Sequence, residues 1–340
     1  MTDKPQSSAT DDNRRQRRSR PAFREAGVIG VLVLMMAGLA AATFDGERGI
    51  STFLQGDNLL GVALAFSFIA IMAIGETIVI MSAGIDLSVG SNLALSGIVC
   101  ALIAKSAVLT GTGPWHIPLA VLGGLLTGVV MGLINGLLVV RGRLTPFIAT
   151  LGTLSIARGA AYALCKGWPV DGLPDAFSDG IGHATLLRVP LAVWAMVLVT
   201  LAGVYFLTQT RWGRHVYAVG GNEEAARFAG IDVGRTKLLV YALCGLSCGI
   251  AAVLMTAWLG VAQSTTGMGY ELDVIAAAVI GGASLMGGHG SALGALLGAA
   301  IMGVLRNGLV LLNVRDYWQQ LAVGLVIIVA VALDPSRRDR

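Results

Sequence analysis

Glu76, Arg158 and Arg306 are the only charged side chains well inside the long apolar runs of this 340-residue chain. A carboxylate and a guanidinium in such surroundings either pair, as a fixed or switchable ion pair, or line a polar path. Asp86, Ser88, Asn92, Asn135 and Asn307 lie on or beside the same runs and add groups that can cap helices, bond between helices or contact a polar solute. A second constellation is cytoplasmic in character: Asn222, Glu223, Glu224, Ala225, Ala226, Arg227, Phe228, Ala229, Gly230, Ile231. Asn222 can act as N-cap, the two glutamates put negative charge on the first turn, and Gly230 supplies a stop, so the string predicts one short capped helix. About two turns of helix are marginal alone in water. Its apolar side, Ala225, Phe228 and Ala229, therefore needs a surface: the membrane face, the rest of the chain or another protein.

The motifs of catalysis are missing. The sequence holds no G-x-x-x-x-G-K-[ST], no G-x-S-x-G and no H-E-x-x-H, and Gly287-Gly288-His289-Gly290-Ser291 lacks the lysine and preceding strand of a phosphate loop. Cys100, Cys165, Cys244 and Cys248 fall in or at apolar runs with no C-x-x-C pair, which reads as small buried hydrophobes; the four histidines are scattered, and no metal site is implied. The chain is expected not to be an enzyme.

The elements that position these residues follow from composition. A hydrophobic fraction of 55%, a charged fraction of 13% and 46 glycines describe an all-α integral membrane protein with close helix packing. Ten runs are candidate spans: 27–44, 59–81, 88–104, 117–140, 146–165, 189–207, 238–259, 274–286, 292–312 and 318–333. The eighth is short and glycine-terminated, consistent with a broken or re-entrant helix. Residues 1–26 form a polar, basic tail, 27–333 the membrane domain, 208–237 a polar loop within it and 334–340 a second tail. The run from Val28 is about 18 residues, longer than a signal-peptide core, so it is read as an uncleaved first span. With the N-terminus inside, inner segments hold seventeen of the 24 Lys and Arg residues and outer segments five, which places both termini and the 208–237 loop in the cytoplasm. The net charge of +4 reflects this orientation rather than a nucleic-acid partner.

Two pairs of segments suggest an internal repeat. Gly84–Val89 and Gly269–Val274 both read G-x-acid-L-[SD]-V, and Leu133–Leu137 and Leu305–Leu309 both read L-x-N-G-L. Five spans separate each pair, an odd number, so the two five-helix halves would be inverted, a frequent transporter architecture. Trp115, Trp168 and Trp318 near outer span ends fit an interfacial belt.

Four long motifs in one order, GIDLSVG at 84–90, TLGTLSIARG at 150–159, GRHVYAVGGNEEAARFAGI at 213–231 and GYELDVIAAAVIGGASLMGG at 269–288, closely resemble the permease subunits of ribose-type sugar ABC importers, over residues 57 to 333. The resemblance implies that Asn222 to Gly230 is the coupling segment, with Glu224, Ala225, Ala226 and Gly230 in its motif positions, docking on a separate ATPase subunit that binds ATP and Mg. It further implies a soluble extracytoplasmic sugar-binding protein, a second permease subunit in a homodimer or heterodimer, and a bacterial inner-membrane location. Glu76, Asp86, Ser88, Asn92, Asn135, Arg158 and Asn307 are the candidates for the translocation path, which the resemblance places near GIDLSVG. Two positions depart from that pattern: Glu76, where a neutral residue is expected, and Ala83, where a second glycine is common. The competing readings from residues alone are an ion-coupled secondary transporter and a membrane scaffold.

Overall fold

The computed structural model describes residues 20–46, 50–110 and 115–332. Helix α1 (Arg20–Ala42) leads into a hairpin of β1 (Phe44–Asp45) and β2 (Ile50–Ser51), followed by α2 (Gly56–Met81), α3 (Val89–Thr110), α4 (His116–Val140) and α5 (Pro146–Cys165). A short turn α6 (Asp175–Phe177), a π-helical turn and the hairpin β3 (Thr185–Leu186) and β4 (Val189–Pro190) connect to α7 (Leu191–Gln209). Then come α8 (Arg211–Gly221), α9 (Glu223–Phe228), α10 (Val233–Leu259), α11 (Tyr270–Ile280), α12 (Ala292–Leu311) and α13 (Asp316–Ala332). Among the described residues eight helices, α1 to α5, α7, α10 and α12, are long and apolar enough to cross a membrane. The tenth expected span, α13, has 17 residues. The basic tail expected over 1–26 lies outside the described residues except for 20–26, which already belong to α1, and the tail over 334–340 lies outside them entirely.

The centre is built from α2 and α10. Every residue of α2 from Ser67 to Met81 is buried, Glu76 included. Helix α10 is 27 residues long, capped at its start by the Asp232 side chain accepting from the Arg235 N–H and stopped by Gly260 at a φ of 65°. It lies against α4 along a line of small residues. A Cβ added at Gly249 would stand 3.0 Å from the Leu125 Cα, so only glycine admits this crossing. Helices α4, α5 and α7 are the periphery, with large apolar residues such as Leu126, Ile148 and Leu198 turned outward.

The eighth expected span is half a helix. At 11 residues, α11 rises only about 16 Å, against a hydrocarbon core of about 30 Å. Irregular backbone at membrane depth is tolerated only where protein buries it and satisfies its polar groups. The preceding segment 260–269 meets that condition. It packs along α3, enclosing a void of about 10 Å³ with Leu93, Gly97 and Met255, and a pair of backbone bonds, Val170 N–H to the Ala262 carbonyl at 2.8 Å and back at 3.0 Å, anchors its start. Its lower end reaches the first turn of α3, where Gly267, at a φ of 72°, would place a Cβ 2.8 Å from the Gly90 carbonyl oxygen. The first matched segment leads into α3 and the second, from Tyr270 on, forms the start of α11, and these two helices begin side by side. Beyond α11, residues 281–291 return to the Met81 end of α2, where the Gly288 N–H donates to the Met81 carbonyl at 2.9 Å.

Candidate functional site

Four of the path candidates, Glu76, Asp86, Ser88 and Asn135, form one buried cluster. After Met81 the chain turns at Ala83 and runs as non-helical backbone to Val89, with Asp86 and Ser88 buried, Gly84, Ile85 and Leu87 half-buried and Ala83 exposed. The Asp86 N–H donates to Glu76 Oε1 at 3.0 Å. The Asp86 carboxylate accepts from the Ser88 N–H at 2.8 Å and the Ser88 hydroxyl at 2.6 Å. Asn135 Nδ2 donates to both carboxylate oxygens, at 3.1 and 3.0 Å. Thr153 on α5 donates to the Asn135 Oδ1 at 2.5 Å. Neutral donors thus surround Asp86 and tie α2, α4 and α5 to one segment, the arrangement a buried carboxylate needs.

Sequence reasoning missed Thr153, Tyr241 and Cys244. The Tyr241 hydroxyl donates to the Ile85 carbonyl at 3.3 Å, and the Cys244 thiol lies 3.6 Å from Glu76 Oε2. Both stand on α10, at a spacing of three that puts them on one helix face; the signal was present, but nothing local marked that face as central.

The remaining candidates lie elsewhere. Asn92, one turn into α3, bonds the Gly128 carbonyl of α4 at 3.2 Å, an interhelical tie. Asn307 exchanges amide hydrogen bonds with Asn58, at 3.2 and 2.9 Å. The membrane ion pair does not join Glu76 to either arginine. Arg306 pairs with Asp273 at 2.6 Å, and Arg158 donates to the carbonyls of Ser264, at 2.5 Å, and Thr266, at 2.8 Å. Arg158 is thus the cap of the irregular segment before α11, and its partners are backbone atoms that side-chain identities cannot reveal.

In the polar loop, α9 forms as expected. Asn222 Oδ1 accepts the Ala225 N–H at 2.9 Å, and Gly230 ends the helix at a φ of 81°. Of the three surfaces open to its apolar side, the rest of the chain is not the one used. Ala226, 4% exposed, packs on Val219 and Val233, while Ala225, Arg227 and Ala229 are exposed and Phe228 is 88% exposed. Helix α8, which the sequence reading left as loop, supplies the surface beneath, and its own Thr210 cap accepts the Gly213 N–H at 3.0 Å. Glu223 receives the Lys237 ammonium at 2.7 Å and the Arg227 guanidinium at 2.5 Å. The Lys237 hydrogen bond, aided by Arg227, holds the Glu223 carboxyl below its ordinary range, so this clamp is intact above that range and is lost as pH falls through the depressed value. Glu224 sits on the first turn, exposed, where its charge favours the helix N-terminus. Between α9, the start of α10 and the turn at Arg143 to Pro146 lies an open groove of about 550 Å³.

Residues 58–331 match the family described as branched-chain amino acid transport system / permease component. The chain belongs to this permease family. The permease is 44% identical to the ribose import permease protein RbsC of Escherichia coli K12 over 287 residues, 83% of this chain and 87% of that protein. RbsC of Bacillus subtilis is 42% identical over 84% of this chain and 87% of its own length. The D-allose transport system permease protein AlsC of Escherichia coli K12 is 40% identical over 83% of this chain and 84% of its own length. As a family member the permease is a transport component rather than an enzyme, in keeping with the missing catalytic motifs.

Proposed function

We propose that the permease is the membrane subunit of an ATP-binding-cassette importer carrying a small sugar, a pentose, hexose or related polyol, inward across the bacterial cytoplasmic membrane. The observation that carries this reading is 44% identity over 83% of the chain to a ribose import permease. The family description speaks of branched-chain amino acids; the sugar reading follows the relatives aligned over nearly the whole membrane domain. Power comes from a separate ATPase subunit that binds ATP and Mg, and cargo from an extracytoplasmic sugar-binding protein. A second permease subunit, identical or related, completes the path.

The ten-span arrangement counts the eight long helices, α13, and one crossing made jointly by segment 260–269 and α11. It leaves both termini and the 208–237 loop in the cytoplasm, in agreement with the seventeen-to-five charge bias. The close approach of Gly90 and Gly267, which flank the two matched segments, supports the inverted repeat. The GIDLSVG segment lies close to the path: its Asp86 and Ser88 hold it from behind, and Ile85 and Leu87 present its outer side.

Coupling runs through α9. A helix that turns Phe228 outward while Ala226 and the Glu223–Lys237 pair seat it on its own chain presents an apolar side for another protein to cover, with Phe228 as the anchor. Asn222, Glu223, Glu224, Ala225, Arg227 and Gly230 shape and orient that anchor. Phe228→Asp and the pair Glu224→Ala with Gly230→Ala are expected to abolish ATP-driven uptake while leaving membrane insertion intact. The test is uptake of radiolabelled D-ribose, D-allose, L-arabinose and D-galactose into proteoliposomes holding permease, ATPase and binding protein. Normal ATP-driven uptake by these variants overturns the coupling role; uptake driven by an ion gradient without ATP makes the protein a secondary transporter.

A further inference from the structure

We infer that one face of α10 is a strut joining the coupling helix α9 to the non-helical segment 82–88, with Lys237 and Tyr241 as its attachment points. The inference rests on the coupling reading above and names the route by which that coupling reaches the membrane centre.

Lys237, Tyr241 and Cys244 follow at intervals of four and three, so they share one face of the helix. Each makes a contact outside α10. Lys237, only 16% exposed, reaches Glu223 Oε2 of α9 at 2.7 Å. One turn on, Tyr241, 1% exposed, donates to the Ile85 carbonyl at 3.3 Å. Another turn on, Cys244 lies 3.6 Å from Glu76 Oε2, and Glu76 Oε1 in turn accepts the Asp86 N–H at 3.0 Å. The same short segment is therefore held twice from one helix face, at Ile85 directly and at Asp86 through Glu76.

The connecting element is stiff. Helix α10 runs unbroken from Val233 to Leu259 and holds no proline. Its glycine contact with α4 leaves no side-chain layer in which the two helices could shear, since a Cβ at Gly132 would stand 3.1 Å from the Gly245 Cα. Displacement of α9 must then move Lys237, the turn that carries it, and Tyr241 together. Segment 82–88 has no ladder of its own and is held by side chains, with Asn135 tying it to α4 and Tyr241 tying it to α10, so a shift of Tyr241 reaches it directly.

The experiment uses the complete complex in detergent, with ATP and Mg or without nucleotide, and reads amide hydrogen exchange at 222–231 and 82–92. ATP changes exchange at both regions in the wild type. Tyr241→Phe keeps the ring and removes the hydroxyl; it is expected to retain the change at 222–231 and cut that at 82–92 about three- to tenfold, the factor of one hydrogen bond. Lys237→Met does the same, Lys237→Arg restores the response, and the double variant is no worse than either single one, because both break one link. A wild-type response at 82–92 in Tyr241→Phe overturns the strut alone. Loss of the ATPase from the wild-type complex, or no response to ATP at 222–231, overturns the coupling reading and the strut with it.

Discussion

The segments Gly84–Val89 and Gly269–Val274 carry one pattern and are anchored in different ways. In the first, the acid is Asp86, and the residue two positions later is Ser88, whose N–H and hydroxyl both donate to it. In the second, the acid is Glu271, and the residue two positions later is Asp273. An ionised aspartate cannot donate a hydrogen bond. Asp273 takes Arg306 of α12 instead, at 2.6 Å, while Glu271 Oε2 is buried with no hydrogen-bond partner among the described residues. The asparagines diverge in step: Asn135 donates to Asp86, whereas Asn307, at the matching place on α12, is occupied by Asn58. A serine at one position thus lets a segment be fixed by neutral donors alone, and an aspartate there obliges the fold to bring in a cation.

The largest expected effect breaks the better-anchored side. Asp86→Ala strands the Ser88 N–H and hydroxyl in the protein interior and leaves the Asn135 amide with Ser88 Oγ, at 2.8 Å, as its acceptor, at a cost of about 3 kcal/mol. Glu271→Ala removes a carboxyl with one unbonded oxygen and should cost under about 1 kcal/mol. Thermal unfolding of the purified permease in detergent compares the two. Equal losses would mean that the hydrogen-bond inventory does not measure how firmly each segment is held.

An intermediate effect concerns the irregular backbone that leads into each of the two helices, 82–88 before α3 and 260–269 before α11. Segment 260–269 leans on Arg158 for the Ser264 and Thr266 carbonyls, whereas the Ile85 carbonyl accepts from Tyr241 at 3.3 Å and at 3.4 Å shares the Thr150 hydroxyl, whose nearer acceptor is the Pro146 carbonyl at 2.9 Å. Arg158→Met therefore leaves two carbonyls unpaired, for about 2 kcal/mol, while Thr150→Val leaves Ile85 one donor and costs under about 1 kcal/mol. Hydrogen exchange at 260–269 should rise in the first variant, and a silent Arg158→Met would remove the arginine from its capping role.

The extent to which these features can be read from the chain follows the same physics. Apolar length located the long helices, and the shortness and glycines of 274–286 correctly marked a helix that does not cross alone. Glycine, N-cap and charge signals located α9, because capping is local. Which side of α9 faces its own chain was not local: it depends on α8, whose polar sequence reads as loop, and α8 takes Ala226 rather than the Ala225, Phe228 and Ala229 side. The partners of Glu76, Arg158 and Arg306 were out of reach for a related reason. Two of the three bind backbone atoms, and a carbonyl or N–H carries no residue identity from which to infer it. Asp273 was visible in the repeat only as a variant of serine, and its charge demanded a partner that the pattern itself did not name.

The smallest effect concerns where each segment turns. In the first, the left-handed residue is Ala83, at a φ of 58°; in the second it is Gly269, at 82°, one place later in the shared pattern. A Cβ at Gly269 would meet no atom within 4 Å, so Gly269→Ala tests backbone conformation without crowding and should cost about 1–2 kcal/mol. Ala83→Gly relieves the same strain but restores freedom to the unfolded chain worth about 0.5–1 kcal/mol, leaving a net gain below about 1 kcal/mol. The unfolding midpoint should therefore fall clearly in the first variant and rise slightly in the second. A fall in both would show that the Ala83 methyl, which lies near Gly287, contributes more than its backbone conformation costs, and that the departure from glycine at this position is a packing choice.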